Sequence, residues 1–361
     1  MSASKKKISL ALQGGGALGA YAWGALDRLF EDERIEIAAI SGCSAGAMNA
    51  VVAAEGFAEG GADGARKQLR AFWEGVARAG LSNPYRRTPL MALMNTFTPA
   101  WAQNAASMWA DIYSRLASPY DTNPLNLNPL KDLLEELVDF ERVRASSIPL
   151  FIAATNVETG RVRIFQNKEL TADHMMASAC LPLVFQAVVI DGTPYWDGGY
   201  VGNPPLFPLF DIKETRDILI VQINPIVRPG APRTASDIMA RVNEITFNAS
   251  LLAELRAIDF VTRLLEQGRL PEGRYRHMLM HRMSQDKALR PLGIGVDLNT
   301  DLAFFEELFK TGRRACGAWL KKNFDAVGER STVDLRAMFA GENGNAEPEN
   351  DDPDADETQP H

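Results

Sequence analysis

The sequence predicts an α/β fold, with a mostly parallel central sheet flanked by helices and a helical C-terminal extension. Three observations carry that reading. Short apolar runs at 8–12, 35–41, 149–157 and 217–224 alternate with longer stretches of helical periodicity, the pattern of strands joined by crossover helices. A glycine-rich loop, Gly14 to Gly19, follows the first run and opens a helix. The second run leads straight into Gly42-Cys43-Ser44-Ala45-Gly46 and another helical stretch.

The elements follow in order. The first strand, 8–12, gives way to the glycine loop and a helix over 20–31 with Tyr21, Leu26, Leu29 and Phe30 on its apolar side. The second strand, 35–41, runs into the G-x-S-x-G pentapeptide and a helix to about residue 55. Residues 56–64 read as a glycine-rich break, and 66–79 as a helix with Leu69, Phe72, Trp73 and Val76 inward. The stretch 81–128 is irregular, rich in Met, Trp and Pro, and reads as a lid insertion or as packing against the body. A helix is expected at 130–138, a buried strand at 149–157 and a partner strand at 161–165 across a turn. Then come a helix at 171–180, a strand at 183–190, the aromatic run Tyr195-Trp196-Asp197-Gly198-Gly199 and a core strand at 217–224. Beyond a proline-bounded linker lie a long amphipathic helix at 236–266, a strand at 276–283 and a helix at 301–324. The division expected is a catalytic domain over 8–207, an extension packed on it over 208–335, and an acidic tail over 342–361.

Composition narrows the function. With 361 residues, 46% hydrophobic and 23% charged, the chain reads as a soluble globular protein. Its net charge of −8 belongs to the tail, because removing that segment's eight acids leaves 38 acids against 38 bases. The body therefore lacks the overall basic charge of a nucleic-acid binder, and the tail reads as solvating and disordered. Three scattered cysteines, Cys43, Cys180 and Cys316, form neither a disulfide framework nor a zinc pattern. No metal or cofactor is implied, and a cytoplasmic location is expected. Lys5-Lys6-Lys7 before an uncharged run resembles a leader, but the apolar part breaks at Gln13-Gly14-Gly15-Gly16, too soon for a secretory core.

Strand, sharp turn and helix make the pentapeptide a nucleophile elbow. Ser44 would be exposed at the carboxyl end of the sheet, with the helix aiming free N–H groups at the same place. The glycine loop offers backbone N–H groups to an anion. Asp197 supplies an acid backed by two permissive glycines. A serine nucleophile needs a base. His277 and His281 follow Asp197 in the chain, so a Ser-Asp-His order is available. They lie four apart within an expected strand, however, and a Ser–Asp dyad fits the glycine-flanked acid better. A dinucleotide-binding reading of the glycine loop wants an acid at the end of the second strand. That strand ends at Ser41 and enters the elbow instead.

Taken together, Gly14 to Gly19, Gly42 to Gly46 and Asp197 to Gly199, in that order and continuing into Asn203-Pro204-Pro205, resemble the patatin-like phospholipase family. The resemblance spans about 8–202 and implies a patatin-like α/β hydrolase-type fold and lipid acyl hydrolysis by a Ser–Asp dyad. Carried over, Ser44 is the nucleophile and Asp197 the base. The N–H groups of Gly15, Gly16 and Ala17 form the oxyanion hole, and Gly14, Gly19, Gly42, Gly46, Gly198 and Gly199 are the motif glycines. Many members carry Arg or Lys where Ala17-Leu18 stands, so this chain lacks that electrostatic help for an anionic head group. The partner implied is a lipid or other acyl ester, with peripheral membrane contact. Thioesterase, transacylase and polyester-oligomer hydrolase use the same machinery, and a silent lipid-binding protein is the non-enzymatic alternative. The oligomeric state is left open.

Overall fold

The computed structural model describes residues 5–81, 118–271, 274–285, 289 and 299–340. Most of the expected lid insertion (82–117) and the acidic tail lie outside the described residues. At the centre is an eight-stranded mixed sheet. Strand β1 (Lys6–Leu12) is followed by helix α1 (Gly19–Glu31), β2 (Ile35–Gly42) and the helical stretch α2 (Ala45–Leu81). Next come the short helices α3 (Pro119–Thr122), α4 (Pro129–Leu137) and α5 (Phe140–Arg144). Strands β3 (Leu150–Asn156) and β4 (Val162–Gln166) precede α6 (Ala172–Ser178), β5 (Val188–Ile190) and β6 (Thr193–Asp197). Then follow β7 (Asp217–Val221), α7 (Ala235–Glu266), β8 (Leu279–Met283), α8 (Leu302–Asn323) and α9 (Leu335–Ala340).

The strand order is β5-β6-β3-β2-β1-β7-β8, with β4 also paired to β3. The pairs joining β3, β2, β1, β7 and β8 are parallel, and those involving β4, β5 and β6 are antiparallel. Alternating side chains divide the apolar core in two. Leu10, Leu12, Ile40, Leu219 and Val221 join α1, α2 and α8 on one face. Ala11, Ala39, Ile218, Ile220 and Met280 meet Leu251 and Leu255 of α7 on the other. The region after residue 207 thus contributes a helix to each face of the sheet, α8 to one and α7 to the other, and also supplies two of its strands.

One register detail positions the site. Along β3, β2 occupies Leu150 to Ile152, while β6 occupies Ala154 to Asn156. Because β4 pairs with β3 across both segments, β2 and β6 share the opposite edge. They run toward each other along it. β2 ends at Gly42 opposite Ile152, and β6 ends at Asp197 opposite Ala154. Two residues of β3, about 7 Å, separate the two strand ends.

Three local expectations need correction. The helix after the elbow does not stop near 55. It continues to a kink at Gly60 and Gly61, where φ reaches 62°, a left-handed turn that glycine adopts without penalty. The strand expected over 183–190 shrinks to Val188–Ile190, because Val184 and Phe185 donate to the Leu181 carbonyl in a turn and Pro182 suits that turn. The strand expected from 276 starts at Leu279. Arg276 instead donates to the carbonyls of Ile212 and Thr215 and clamps the chain entering β7.

Candidate active site

Ser44 lies between the end of β2 and the start of α2 with φ at 51°, a conformation uncommon for a residue with a side chain. Its N–H donates to the Ser178 carbonyl at 3.1 Å and to Ser178 Oγ at 3.0 Å. The Gly46 and Ala47 N–H groups then turn back onto the Cys43 carbonyl and start the helix. The glycines here answer to crowding. A Cβ on Gly14 would stand 2.7 Å from Ser44 Cβ, and one on Gly42 would stand 2.8 Å from the Gly46 carbonyl carbon. The glycine loop and the elbow are therefore pressed together, and Ser44 is 9% exposed.

Asp197 is fully buried. Its N–H donates to the Cys180 carbonyl at 2.8 Å, and its own carbonyl accepts from Thr155 Oγ1 at 2.6 Å. Oδ1 accepts the Gly199 N–H at 2.7 Å. Burial pushes the carboxyl up to about 6, against the opposing pull of the Gly199 N–H and the Ser44 hydroxyl. The hydroxyl is near enough to be felt, yet no well-aligned hydrogen bond joins the pair. Oδ2 is buried without a partner among the described residues. The carboxylate thus keeps an unspent acceptor lone pair beside the serine.

On the other side of Ser44, the glycine loop is held by side chains. Gly14 N–H donates to Asn203 Oδ1 at 2.7 Å, and the Gly14 carbonyl accepts from Asn224 Nδ2 at 2.7 Å. The N–H groups of Gly15, Gly16 and Ala17 meet no acceptor among the described residues. Cys43 is buried and donates to Asn203 Oδ1. Burial, reinforced by the Asp197 charge, drives its thiol well up, so it is a poor nucleophile.

Gln13 and Asn203 are not among the expected site residues, although Asn203 belongs to the stretch that carries the resemblance. Gln13 Oε1 accepts from the backbone N–H groups of Ile223 and Asn224, and its Nε2 donates to the Asn203 carbonyl and Asn248 Oδ1. A polar residue closing an apolar strand just before three glycines was the available signal. Helix α7, expected as an amphipathic helix, also reaches the site. Asn248 bonds Gln13, Ser250 Oγ accepts the Asn203 N–H, and Glu254 accepts the N–H groups of Leu206 and Phe207. Burial lifts Glu254 to about 7. This helix braces both the glycine loop and the loop after Asp197.

The histidines lie elsewhere. His281 is buried in β8, bonded to Asp217 at 2.9 Å and Thr332 at 2.9 Å. β7 and β1 lie between its strand and β2, so at ~4.8 Å per strand it is roughly 14 Å from the elbow strand. His174 packs edge-on against Phe165 and bonds Thr171. Among the described residues, no His, Cys, Asp and Glu group could hold a metal ion, and no helix is long and apolar enough to cross a membrane.

Comparison with known proteins bears on residues 10–210, which match a family model described as patatin-like phospholipase. No curated relative matches the sequence. Among solved structures, a crystal structure of VipD from Legionella pneumophila is similar at 14% identity and a TM-score of 0.36, covering 85% of this chain and 68% of that one.

Proposed function

Because this chain belongs to the patatin-like phospholipase family, we propose that it is a lipid acyl hydrolase that cleaves carboxylic esters through a Ser44–Asp197 dyad. The observation that carries the proposal is the meeting of β2 and β6 on one edge of β3, which sets Ser44 beside a buried, underbonded carboxylate. Asp197 removes the Ser44 proton as Oγ attacks the ester carbonyl. The N–H groups of Gly15, Gly16 and Ala17 receive the oxyanion, where each lost donor costs about 10²–10³ in rate. The alcohol leaves with the proton and an acyl-enzyme remains. Water, activated by Asp197, attacks the acyl carbonyl and releases the carboxylic acid. A base near pH 6 accepts a proton at neutral pH and returns it readily.

Three free cysteines suit a reducing cytoplasm. Peripheral contact with a lipid surface is supported by exposed Ile238, Met239, Val242 and Ile245 on α7, spaced to share one side of the helix. On a different side of the same helix, Phe247 packs edge-on against Tyr200 just after the Asp-Gly-Gly turn.

The test is labelling with a fluorophosphonate probe, beside Ser44→Ala and Asp197→Asn, with hydrolysis of short and long acyl esters in parallel. Labelling that disappears with Ser44, and hydrolysis lost in both variants, is expected. Full hydrolysis by folded Ser44→Ala rejects the nucleophile. A wild-type protein that neither labels nor turns over any ester rejects the hydrolase reading.

A further inference from the structure

The segment that holds the dyad has a second side. Ser178 fixes the Ser44 N–H and Cys180 fixes the Asp197 N–H. Next to these anchors is a cavity of about 360 Å³, between residues 126–131 and 173–189. Its apolar wall is made by Met176, Cys180, Phe185 and Val188. We propose that this cavity is the acyl-chain pocket of the ester substrate and that it takes chains of short to medium length. The proposal rests on the dyad reading and adds the substrate class to it.

Position is the first argument. Met176 and Cys180 flank Ser178 by two residues on either side, and Val188 pairs in register with Tyr195, two residues before Asp197. Neither Ser44 nor Asp197 lines the cavity, but the residues that anchor both of them adjoin its wall. Charge is the second. Lys131 is at the cavity but is tied to Asp173 at 2.8 Å and Glu135 at 3.7 Å. Asn128 caps the Leu130 N–H and donates to Met176 Sδ, while Gln186 Nε2 donates to the Asn123 carbonyl. With Lys131 paired and these amides engaged, the described lining offers no unpaired cation to a phosphate head group. Size is the third. At ~30 Å³ per water-sized group, the cavity holds about a dozen such groups, so a single chain of roughly ten carbons fills it. It lies near the lower end of ligand sites, which span about 300–1,000 Å³. The two lining segments also expose Leu125, Leu127 and Leu183, which gives a chain leaving a lipid surface an apolar route in.

The experiment compares p-nitrophenyl butyrate, decanoate and palmitate with wild type, Val188→Phe and Phe185→Ala, each checked for folding by thermal unfolding. Val188→Phe fills the cavity and is expected to lower the decanoate-to-butyrate ratio of kcat/KM at least tenfold, since each methylene excluded from an apolar site is worth about tenfold or more. Phe185→Ala enlarges it and is expected to raise the palmitate-to-decanoate ratio. Its partly exposed side chain makes it the informative variant if Val188→Phe does not fold. Ratios within twofold of wild type in the folded variants overturn the pocket. Calorimetric titration of the Ser44→Ala protein with decanoate separates this from the dyad reading. Binding at least tenfold tighter than butyrate, lost when Val188→Phe is added, is expected whichever residue proves to be the nucleophile. Equal binding of the two acids rejects the pocket.

Discussion

Replacing Asp197 with Asn should abolish hydrolysis and make the protein more stable. The carboxyl rises from 3.8 to about 6 because it is buried, so the folded state holds this proton more tightly than the unfolded chain does. Stability therefore falls as pH rises from about 4 to about 6 and is flat above that range. At ~1.4 kcal/mol per pH unit the buried charge costs about 3 kcal/mol at neutral pH. Asn keeps the acceptor for the Gly199 N–H and loses the charge. Its amide must find an acceptor where Oδ2 had none, and the Ser44 hydroxyl is the neighbour able to serve, so the net gain is expected at about 1–3 kcal/mol. The assay is urea unfolding of wild type and Asp197→Asn at pH 4 and pH 7.5. The gain should be present at pH 7.5 and nearly absent at pH 4. In parallel, wild-type kcat/KM should fall below pH 6, to about a tenth at pH 5, as the base takes up its proton. A variant no more stable than wild type at pH 7.5, or a difference independent of pH, refutes the buried-charge argument. A flat rate profile from pH 5 to 8 refutes the assignment of the base.

Other consequences follow from groups around the site. Glu254, lifted to about 7 by burial, should also cost stability as pH rises from about 4.5 to 7. Glu254→Gln should recover about 1–3 kcal/mol above pH 7 and little below pH 4.5 in the same unfolding assay, and an equal effect at both values contradicts this. His281→Ala should destabilise by about 2–4 kcal/mol, since it leaves Asp217 short of a buried partner. The kcat of the folded fraction should change less than threefold, and a loss matching that of Ser44→Ala would restore a histidine base. Val242→Glu with Ile245→Glu should weaken co-sedimentation with phosphatidylcholine vesicles about tenfold or more, while hydrolysis of soluble butyrate is retained. Unchanged sedimentation removes this helix from the lipid contact.

What could be read from the sequence was whatever the chain writes locally. The elbow is a strand, five residues and a helix in succession, so Gly42 to Gly46 announced a turn before any contact was known. Gly14 was legible for a related reason, since a position pressed to within contact of Ser44 Cβ tolerates no side chain. The partnership of Ser44 and Asp197 was open to inference but not to derivation. It depends on β2 and β6 sharing one edge of β3, and strand pairing across 155 residues leaves no periodic trace. The brace was harder still. Asn248, Ser250 and Glu254 look like ordinary polar positions on a long helix, and their meaning lies with Gln13, Asn203 and Leu206. Buried polar groups must find partners, so a glutamine at the end of an apolar strand was a question the sequence posed without answering. The answer lies beyond the residues that match the family model. The C-terminal part of the chain thus belongs to the physical chemistry of the site, because Asn248 of α7 bonds Gln13 ahead of the glycine loop, and Ser250 and Glu254 hold the loop after Asp197.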